Sequence, residues 1–172
     1  MIKTILVATD GSEHATKAVI LAADISEKYD SRMVVLHVLS KDPLPESLVR
    51  MAEAEHITPP RSEPPIAPTP EGQFPASTIF GQKDEKPEIR RFVAEHLLAE
   101  AQKVAKGKGV EDVHCVIEDG DPVKEILRHA KEDNANLIVM GSRGLGVLEG
   151  LLMGSVSHKV SQLSPCSCII VK

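Results

Sequence analysis

Short unbroken runs of hydrophobic residues alternate along the chain with stretches whose hydrophobic positions are three or four residues apart. The runs cover residues 2–9, 33–39, 113–117, 137–140 and 168–171, and valine and isoleucine are frequent in them. Such a run is typical of a strand buried on both faces, as strands are in a parallel sheet. The pattern therefore predicts five strands in one buried sheet.

The stretches between the runs have the periodicity of helices. The first predicted helix follows Ser12, a residue type that is favoured as an N-cap. A second is predicted over 89–106. A third opens at Asp121-Pro122, an N-cap followed by a first-turn proline. The fourth covers about 155–163.

Strands and helices alternate from the first run to the last, which predicts an α/β fold with a five-stranded parallel sheet, helices on both faces and right-handed crossovers. If strand four returns beside strand one after strands two and three have extended the sheet outward, the strand order is 3-2-1-4-5. The loops after strands one and four then meet at the carboxyl edge of the sheet, where sheets of this kind bind ligands. A length of 172 residues fits a single domain, 1–172.

One segment, residues 41–88, interrupts this alternation. It holds ten of the twelve prolines, and its five basic and nine acidic residues give it a net charge of −4. Residues 46–55 allow one short helix, whereas the proline-rich stretch after them favours an extended or mobile chain. We interpret 41–88 as a proline-rich insertion within the single domain, and we expect it to overhang the carboxyl edge of the sheet.

Composition narrows the classes of function. Hydrophobic residues make up 42% of the chain but aromatic residues only 2%, so aromatic platforms for stacking nucleic-acid bases are scarce. The formal net charge is −5, which argues against a basic nucleic-acid-binding face. No apolar run approaches the roughly 18 residues that a membrane span requires. We therefore expect neither nucleic acid nor membrane as a partner.

The cysteines and histidines suggest no strong catalytic or metal site. Three cysteines, an odd number, and an N-terminus without the pattern of a signal peptide favour a reduced, cytoplasmic setting. Cys166 and Cys168 share one side of the last predicted strand, and His158 is the only partner that would suggest a metal. Two thiols make a poor zinc site, so packing or a redox-sensitive thiol is favoured. Solvated surface positions are expected for His14, His56, His96, His114 and His129.

The strongest chemical signal is the segment MGSRGLGVLEGLLMGSVSHKV at 140–160. It places glycines between a strand and a helix, where they allow close backbone approach to a ligand and positive φ angles. The first turn of the following helix presents unpaired N–H groups and the positive end of the helix dipole. Together these features predict an anion site, most naturally for phosphate. Arg143 adds charge, and the hydroxyls of Ser155 and Ser157 add hydrogen bonds.

Two familiar nucleotide motifs do not match this loop. A Walker P-loop requires a lysine before its Ser or Thr, and Gly154-Ser155 has none. A dinucleotide fingerprint has the spacing G-x-G-x-x-G after the first strand, whereas the glycines from Gly144 to Gly150 follow the fourth strand with a longer spacing. A glycine-rich loop that binds no ligand stays open as an alternative.

Asp10 is the second chemical signal, because it ends the first strand in the sequence ATDGS. A carboxylate at the carboxyl end of a strand can accept hydrogen bonds from both hydroxyls of a ribose. The alternative is that Asp10 only caps the first helix. If the strand order is 3-2-1-4-5, Asp10 and the glycine-rich loop lie at the same switch point of the sheet, which favours the ribose interpretation.

Four features of the chain are shared with a known family: VATDGS at 7–12, LHV at 36–38, Gly-Asp-Pro at 120–122 and above all the spacing Gly141-x2-Gly144-x9-Gly154-Ser155. On these features nearly the whole chain, except for residues 41–88, resembles universal stress proteins of the UspA type. That spacing resembles the nucleotide-binding pattern of the family's ATP-binding branch. The resemblance implies a nucleotide-binding, Rossmann-like fold with ATP in the crevice, accompanied by a divalent ion such as Mg or Mn.

The resemblance also implies roles for individual residues. Asp10 would hold the ribose, the main chain of Val38 would meet the adenine, and Ala8 and Thr9 would line the base pocket. The residues implied along the phosphate path are Met140, Gly141, Arg143, Gly144, Gly154, Ser155, Val156 and Ser157. Members of the family often dimerise by pairing the last strand, which implies a homodimer through CIIVK at 168–172.

Three functions are consistent with these observations. The first is a regulatory, stress-response module that binds ATP and signals through its dimer or an unidentified protein partner. Its hydrolysis would be slow or absent, since no clear general base and no P-loop lysine are present, and no residue is assigned as catalytic. The second is an enzyme, a weak ATPase or a nucleotidyl-transferring relative on a similar sheet. The third is a nucleotide-free scaffold.

Overall fold

The computed structural model of the chain describes residues 1–39, 87–145 and 153–172. The sheet belongs to the larger of two compact units, Met1–Asp42 with Val93–Lys172. Of the smaller unit, Pro43–Phe92, the described residues are 87–92. The predicted helix at 46–55 and most of the predicted insertion lie outside the described residues, so the single-domain organisation stays a prediction.

Strands and helices alternate along the described chain as the hydrophobic pattern predicts. The strands are β1 (Thr4–Ala8), β2 (Arg32–Leu39), β3 (Val113–Asp119), β4 (Leu137–Gly141) and β5 (Ser167–Val171), and the helices are α1 (Glu13–Tyr29), α2 (Pro87–Gly107), α3 (Pro122–Glu132) and α4 (Ser155–Leu163). All four strand pairs are parallel, and the order across the sheet is β3-β2-β1-β4-β5. The predicted fold class and strand order are confirmed.

Each strand contributes alternate residues to two cores, one on each face of the sheet. Ile5 and Val7 of β1 join α1 and the part of α2 from Val93 onward. Leu6, between them, joins α3 and α4 on the opposite face. All three of these β1 side chains are fully buried. Burying a side chain of this size stabilises the fold by about 1.5–3 kcal/mol, so the sheet holds its carboxyl edge in a fixed position.

Two helices begin at the residues that the sequence predicts. The hydroxyl of Ser12 accepts a hydrogen bond from the amide of Ala15 at 3.2 Å, which caps α1. The carboxylate of Asp121 accepts from the amide of Lys124 at 2.9 Å, which caps α3 directly before its first-turn proline. Both caps lie at the carboxyl edge of the sheet, because each follows a strand closely.

Strand β3 is longer than the predicted run at 113–117, since it continues through Glu118 to Asp119. These two acidic residues do not look like part of a buried strand, but β3 lies at the edge of the sheet, where polar side chains can face solvent. The extension pairs Val38 of β2 with Glu118 and Leu39 with Asp119.

Candidate functional site

The loops that follow β1 and β4 are joined by side-chain hydrogen bonds at the carboxyl edge of the sheet. The Asp10 carboxylate accepts from the amide of Leu145 at 3.1 Å. The Ser12 hydroxyl donates to the carbonyl of Arg143 at 3.2 Å. The two loops therefore form one site at the switch point between β1 and β4, where the strand order predicts it.

Asp10 is not the cap of helix α1, since Ser12 has that role. One Asp10 oxygen accepts from the amide of Ser12 at 3.0 Å, and the other accepts from the amide of Leu145. The interpretation of Asp10 as a simple helix cap is thus wrong. A carboxylate oxygen can accept more than one hydrogen bond, so both oxygens can still accept from the hydroxyl of a ligand.

Two glycines of the β4 loop, Gly141 and Gly144, are required by the protein's own packing. A Cβ on Gly141 would lie 2.8 Å from the amide nitrogen of Ala15 and 2.9 Å from His14 at the start of α1. A Cβ on Gly144 would collide with the Asp10 carboxylate. Gly154 has an ordinary φ of −77°. The expectation of positive φ in this loop is wrong for Gly141, Gly144 and Gly154, because none of them has a positive φ.

A positive φ occurs instead at Gly11, between Asp10 and the cap of α1. Its φ is 82°, and a Cβ there would lie 2.6 Å from Leu97 of α2. The left-handed conformation and this crowding both favour glycine. Gly11 thus turns the chain from β1 into α1 and brings the Asp10 carboxylate to the crevice.

Helix α4 begins without a side-chain cap. Its N-cap residue is Gly154, which has no side chain to accept a first-turn N–H group, and Ser155 beside it is exposed. The carbonyl of Ser142 holds this helix start, because it accepts from the amide of Gly154 at 2.7 Å and from the Ser157 hydroxyl at 2.8 Å. These two hydrogen bonds fix the first turn of α4 to the residue after β4. The N-terminal end of α4 carries the positive end of the helix dipole.

Ser157 differs from its predicted role as a hydroxyl donor to phosphate. Its hydroxyl lies within hydrogen-bond distance of the carbonyls of Ser142 and Gly154, at 2.8 and 3.0 Å, and the residue is buried. A hydroxyl has only one proton to donate, so the Ser157 proton is used within the loop and is not donated to phosphate. Of the two predicted serines, Ser155 is the one whose side chain faces outward.

The main chain of Val38 faces the predicted base pocket. The last β1–β2 ladder bond runs from the amide of Thr9 to the carbonyl of Leu36 at 3.0 Å. Alternate residues of a strand direct their backbone groups to the same neighbour, so Val38 directs its N–H and C=O to the β1 side as Leu36 does. The β1–β2 register ends at Ala8 and Leu36, so among the described residues Val38 has no ladder partner on the β1 side.

The residues predicted to line the base pocket and the β4 end are mostly buried. Thr9 is 8% exposed and Met140 is 5% exposed, whereas Ala8 is half-buried. Val156 packs against the apolar cluster under α3 and α4, together with Val38. Arg143 is half-buried, and a small open cleft between Arg143, Gly144 and the start of α1 at Ser12, Glu13 and His14 adjoins the Asp10 carboxylate.

A buried histidine beside this pocket was not assigned a role from the sequence. The Nδ1 atom of His37 lies 2.9 Å from the carbonyl of Thr9, which can only accept, so Nδ1 carries the proton. Burial lowers the pKa of His37, although the Thr9 carbonyl and the Asp10 charge act in the opposite direction. His37 is thus a neutral ring that fixes Thr9. Its place within the apolar run MVVLHVL was the available signal.

The predicted histidine and cysteine environments are partly corrected. His14 forms a 3.0 Å hydrogen bond with the Ser142 hydroxyl and His129 is 8% exposed, so neither is a solvated surface residue. His114 is exposed and pairs with Asp112. Cys166 and Cys168 pack against the apolar cluster under α3 and α4. Within the described ranges, no group of three or more His, Cys, Asp or Glu side chains is arranged to hold a metal ion.

Comparison with known proteins matches this architecture. The family model described as "Universal stress protein family" matches residues 1–67 and 69–172. The universal stress protein YxiE of Bacillus subtilis is 34% identical over 175 residues, which cover 100% of both chains. The structure of UspA from Lactobacillus plantarum superimposes with a TM-score of 0.70 at 18% identity, covering 99% of this chain and 98% of that one.

One further solved structure was determined with a ligand. It is a universal stress protein in complex with cAMP, with a TM-score of 0.60 and 23% identity, and the match covers 99% of this chain and 97% of that one. In the part of this chain that the structure describes, no helix is both long enough and apolar enough to span a membrane.

Proposed function

Since this chain belongs to the universal stress protein family, we propose that it binds ATP in the crevice between the loops after β1 and β4 and acts as a nucleotide-dependent regulatory module of the stress response. The observation that carries this proposal is the hydrogen bond between Asp10 and Leu145. It joins the predicted ribose acceptor to the glycine-rich loop, so that one ligand can contact both.

The three parts of a nucleotide have matching groups around this crevice. The main chain of Val38 offers a donor and an acceptor in the plane of the sheet, which suits the hydrogen-bonding edge of adenine. The Asp10 carboxylate suits the ribose hydroxyls. The uncapped start of α4 and the guanidinium of Arg143 suit phosphate. The complex of a related fold with cAMP supports an adenine nucleotide as the ligand class.

A divalent ion, Mg or Mn, accompanies the nucleotide in this proposal. Such ions prefer oxygen ligands and are commonly held by one or two carboxylates together with substrate phosphates. The cleft beside Arg143 is lined in part by Ser12 and by the exposed Glu13, whose carboxylate pairs with Lys17 at 2.7 Å, so oxygen ligands of the right kind are present. The oxygens of Ser12 and Glu13 would bind the ion together with the phosphate oxygens, which would supply the remaining ligands.

The proposed module has little or no hydrolytic activity. The loop from Gly141 to Ser155 contains no lysine, and a P-loop lysine is one of the usual parts of a phosphoryl-transfer site. A cytoplasmic location is proposed with it, because the three cysteines are free thiols.

We propose that the module is a homodimer paired through β5, which lies at one edge of the sheet. The carbonyl of Val171 accepts from the amide of Ser142 at 2.6 Å, so Val171 faces β4 and the neighbouring Ile170 directs its N–H group outward. Ile170→Pro should remove this outward donor, leave the β4 ladder intact and give monomers. Sedimentation that finds the unaltered protein already monomeric at roughly tens of micromolar would contradict the dimer.

The ATP proposal is tested by calorimetric titration of the purified protein with ATP, AMP and cAMP, and by mass spectrometry of any nucleotide released on heat denaturation. Saturable binding of ATP supports the proposal. A protein that releases no nucleotide and shows no heat of binding with any of the three would favour the nucleotide-free scaffold.

A further inference from the structure

A charged cluster lies between the end of β3 and helix α3. It includes Glu118, the residue that pairs with Val38. Arg128 contacts three carboxylates, those of Glu118, Glu125 and Glu132, at 2.8, 2.7 and 2.7 Å. His129, which follows it, has a side chain that is 11% exposed and lies between two carboxylates. Glu118 belongs to both contacts, since one of its oxygens faces Arg128 and His129 together.

The two ring nitrogens of His129 identify its charge. Nδ1 lies 3.0 Å from Asp133, and Nε2 lies 3.0 Å from Glu118. Ionised carboxylates only accept hydrogen bonds, whereas a neutral imidazole has a single N–H group. A neutral ring would therefore set a nitrogen lone pair against a carboxylate oxygen at 3.0 Å. Arg128 Nη2 lies 3.3 Å from the same Nε2, but it is closer to Glu118, at 2.8 Å.

The surroundings of the ring agree with an imidazolium. The charges that act on it come from Glu118 on β3 and from Arg128 and Asp133 on or directly after its own helix. The other elements packed on this face, β1, β2, β4, β5 and α4, contribute apolar side chains to the cluster beneath α3, with the Cys168 thiol among them. Burial lowers the pKa of His129, but the hydrogen bonds with Glu118 and Asp133 outweigh it, and the pKa lies above the ordinary 6.5.

Glu118 transmits this contact to the base pocket through the backbone. The carbonyl of Leu39 accepts a hydrogen bond from the amide of Gly120, so the backbone groups of Leu39 point towards β3. The backbone groups of His37, two residues earlier, point the same way. In a parallel ladder with this register, the backbone N–H and C=O of Glu118 bond to His37 and Leu39, on either side of Val38. The orientation of the Val38 main chain thus depends on where the end of β3 is held.

We propose that His129 is a positioning residue of the nucleotide site: as an imidazolium bound by Glu118 and Asp133, it locks the end of β3 to helix α3 and so holds the Val38 main chain in place for the base. This inference rests on the proposed function, because it needs a bound adenine to act on. His129 itself does not contact the ligand.

The proposal predicts a defined pH dependence. The pKa of His129 is raised in the folded protein, so the contribution of the clamp is fully present below the unfolded value of 6.5 and is lost as the pH rises through the folded value. ATP affinity should follow the same course. The phosphate group of ATP titrates in the same range, and its effect cancels when the affinity of a His129 variant is divided by that of the unaltered protein at each pH.

The test measures the ATP dissociation constant by calorimetry from about pH 6 to about pH 9, the range over which histidine changes charge. It compares the unaltered protein with His129→Gln and with His114→Gln, a matched control at an exposed histidine near the start of β3 that pairs with Asp112. At low pH His129→Gln should bind ATP about fivefold more weakly, the low end of coupling between separated groups. This ratio should approach one at high pH. His114→Gln should match the unaltered protein throughout.

A second variant separates positioning from a loss of packing. Asp133→Asn leaves His129 with one carboxylate, so the midpoint of the pH profile should move to lower pH while binding at low pH persists. The midpoint should coincide with the His129 ring titration measured by nitrogen-detected NMR. Equal ATP affinities of His129→Gln and the unaltered protein at every pH, or a ring that is neutral at pH 7, would overturn the inference and leave ATP binding intact. An unaltered protein that binds no nucleotide would overturn both.

Discussion

Helices α1 and α4 begin at the same edge of the sheet, one after β1 and the other after the β4 loop, but their first turns are completed differently. In α1 the Ser12 hydroxyl accepts a hydrogen bond from the amide of Ala15 and donates one to the carbonyl of Arg143 in the β4 loop. In α4 the corresponding residue is Gly154, which brings no acceptor. An N-terminal turn without a side-chain acceptor is a place where an anion can supply one.

One helix start is thus capped by a side chain that also joins the two loops, whereas the other has no side-chain cap from the residues that the structure describes. Ser12 and Asp10 direct their hydrogen bonds inward and across to the β4 loop, which fixes the geometry of the crevice. Glycine costs only a few tenths of a kcal/mol relative to serine at an N-cap. The absence of a side chain at Gly154 therefore costs the fold little, and among the described residues no side chain caps the first turn of α4.

The largest effect is expected for Asp10, which lies between the two helix starts. Asp10→Ala removes the proposed ribose acceptor and the contact with Leu145, so ATP binding should weaken by roughly 1.5–3 kcal/mol, the range for hydrogen bonds to a charged group. Calorimetric titration measures this loss, and Asp10→Asn, which keeps one acceptor oxygen, should lose less. Unchanged ATP affinity, with the loss confined to the melting temperature, would show that Asp10 has only a structural role.

Giving α4 the kind of acceptor that α1 already has should weaken ATP binding without unfolding the protein. In Gly154→Asp the new carboxylate accepts the first-turn N–H groups and repels phosphate, so affinity should fall roughly tenfold, or about 1.4 kcal/mol. The backbone at Gly154, with φ −77° and ψ 160°, is allowed for any residue, and because Gly154 is buried, circular dichroism checks that the variant keeps its fold.

A matched control for the added charge is available at the far end of helix α2. A Cβ on Gly107 meets no atom within 4 Å, so Gly107→Asp adds the same carboxylate in open space. ATP affinity should be unchanged in this control. If Gly154→Asp also binds ATP like the unaltered protein, the first turn of α4 is not the phosphate site.

Removing the cap of α1 tests the other half of the comparison. Ser12→Ala leaves the amide of Ala15 without its acceptor, and the free energy of unfolding should fall by about 1 kcal/mol. Denaturant unfolding measures this change, and Ser12→Thr should restore most of it. The prediction would be wrong if Ser12→Ala reduced ATP affinity more than Asp10→Ala does, since Ser12 would then contact the ligand directly.

The smallest effect concerns His37, which holds the chain before Asp10. Its pKa is lowered by burial, so the unfolded chain binds a proton that the folded protein does not. Stability should therefore decline as the pH falls below the unfolded value of 6.5, and the His37 ring should titrate below that value in the folded protein. NMR titration checks this, and a His37 ring that titrates above 6.5 would contradict the neutral assignment.

The sequence predicts the sheet well because the strands that lie inside it are uniformly apolar and the helix caps are local signals. Ser12 and Asp121 need only their own neighbours to act as caps, and both were predicted correctly. The end of β3 was predicted two residues too early, since Glu118 and Asp119 are polar and their place in the ladder depends on β2.

The parts of the site that the sequence did not predict depend on contacts between distant segments. Gly141 and Gly144 were interpreted as ligand-facing, whereas the atoms that exclude a larger residue there belong to the start of α1 and to Asp10. His129 forms a hydrogen bond with Glu118, eleven residues earlier, which the turn between β3 and α3 brings to it. Neither contact has a signature in the local sequence.

Whether the ATP phosphates bind at the start of α4, and not at a capped helix start, is measured by an ATP titration followed by backbone amide NMR. We expect saturable shifts for the amides of Ser155 and Val156, with smaller shifts across Arg143–Leu145, and none for Lys124 in the capped first turn of α3. Saturable binding that leaves the Ser155 and Val156 amides unshifted, or that shifts Lys124 equally, would contradict phosphate binding at the start of α4.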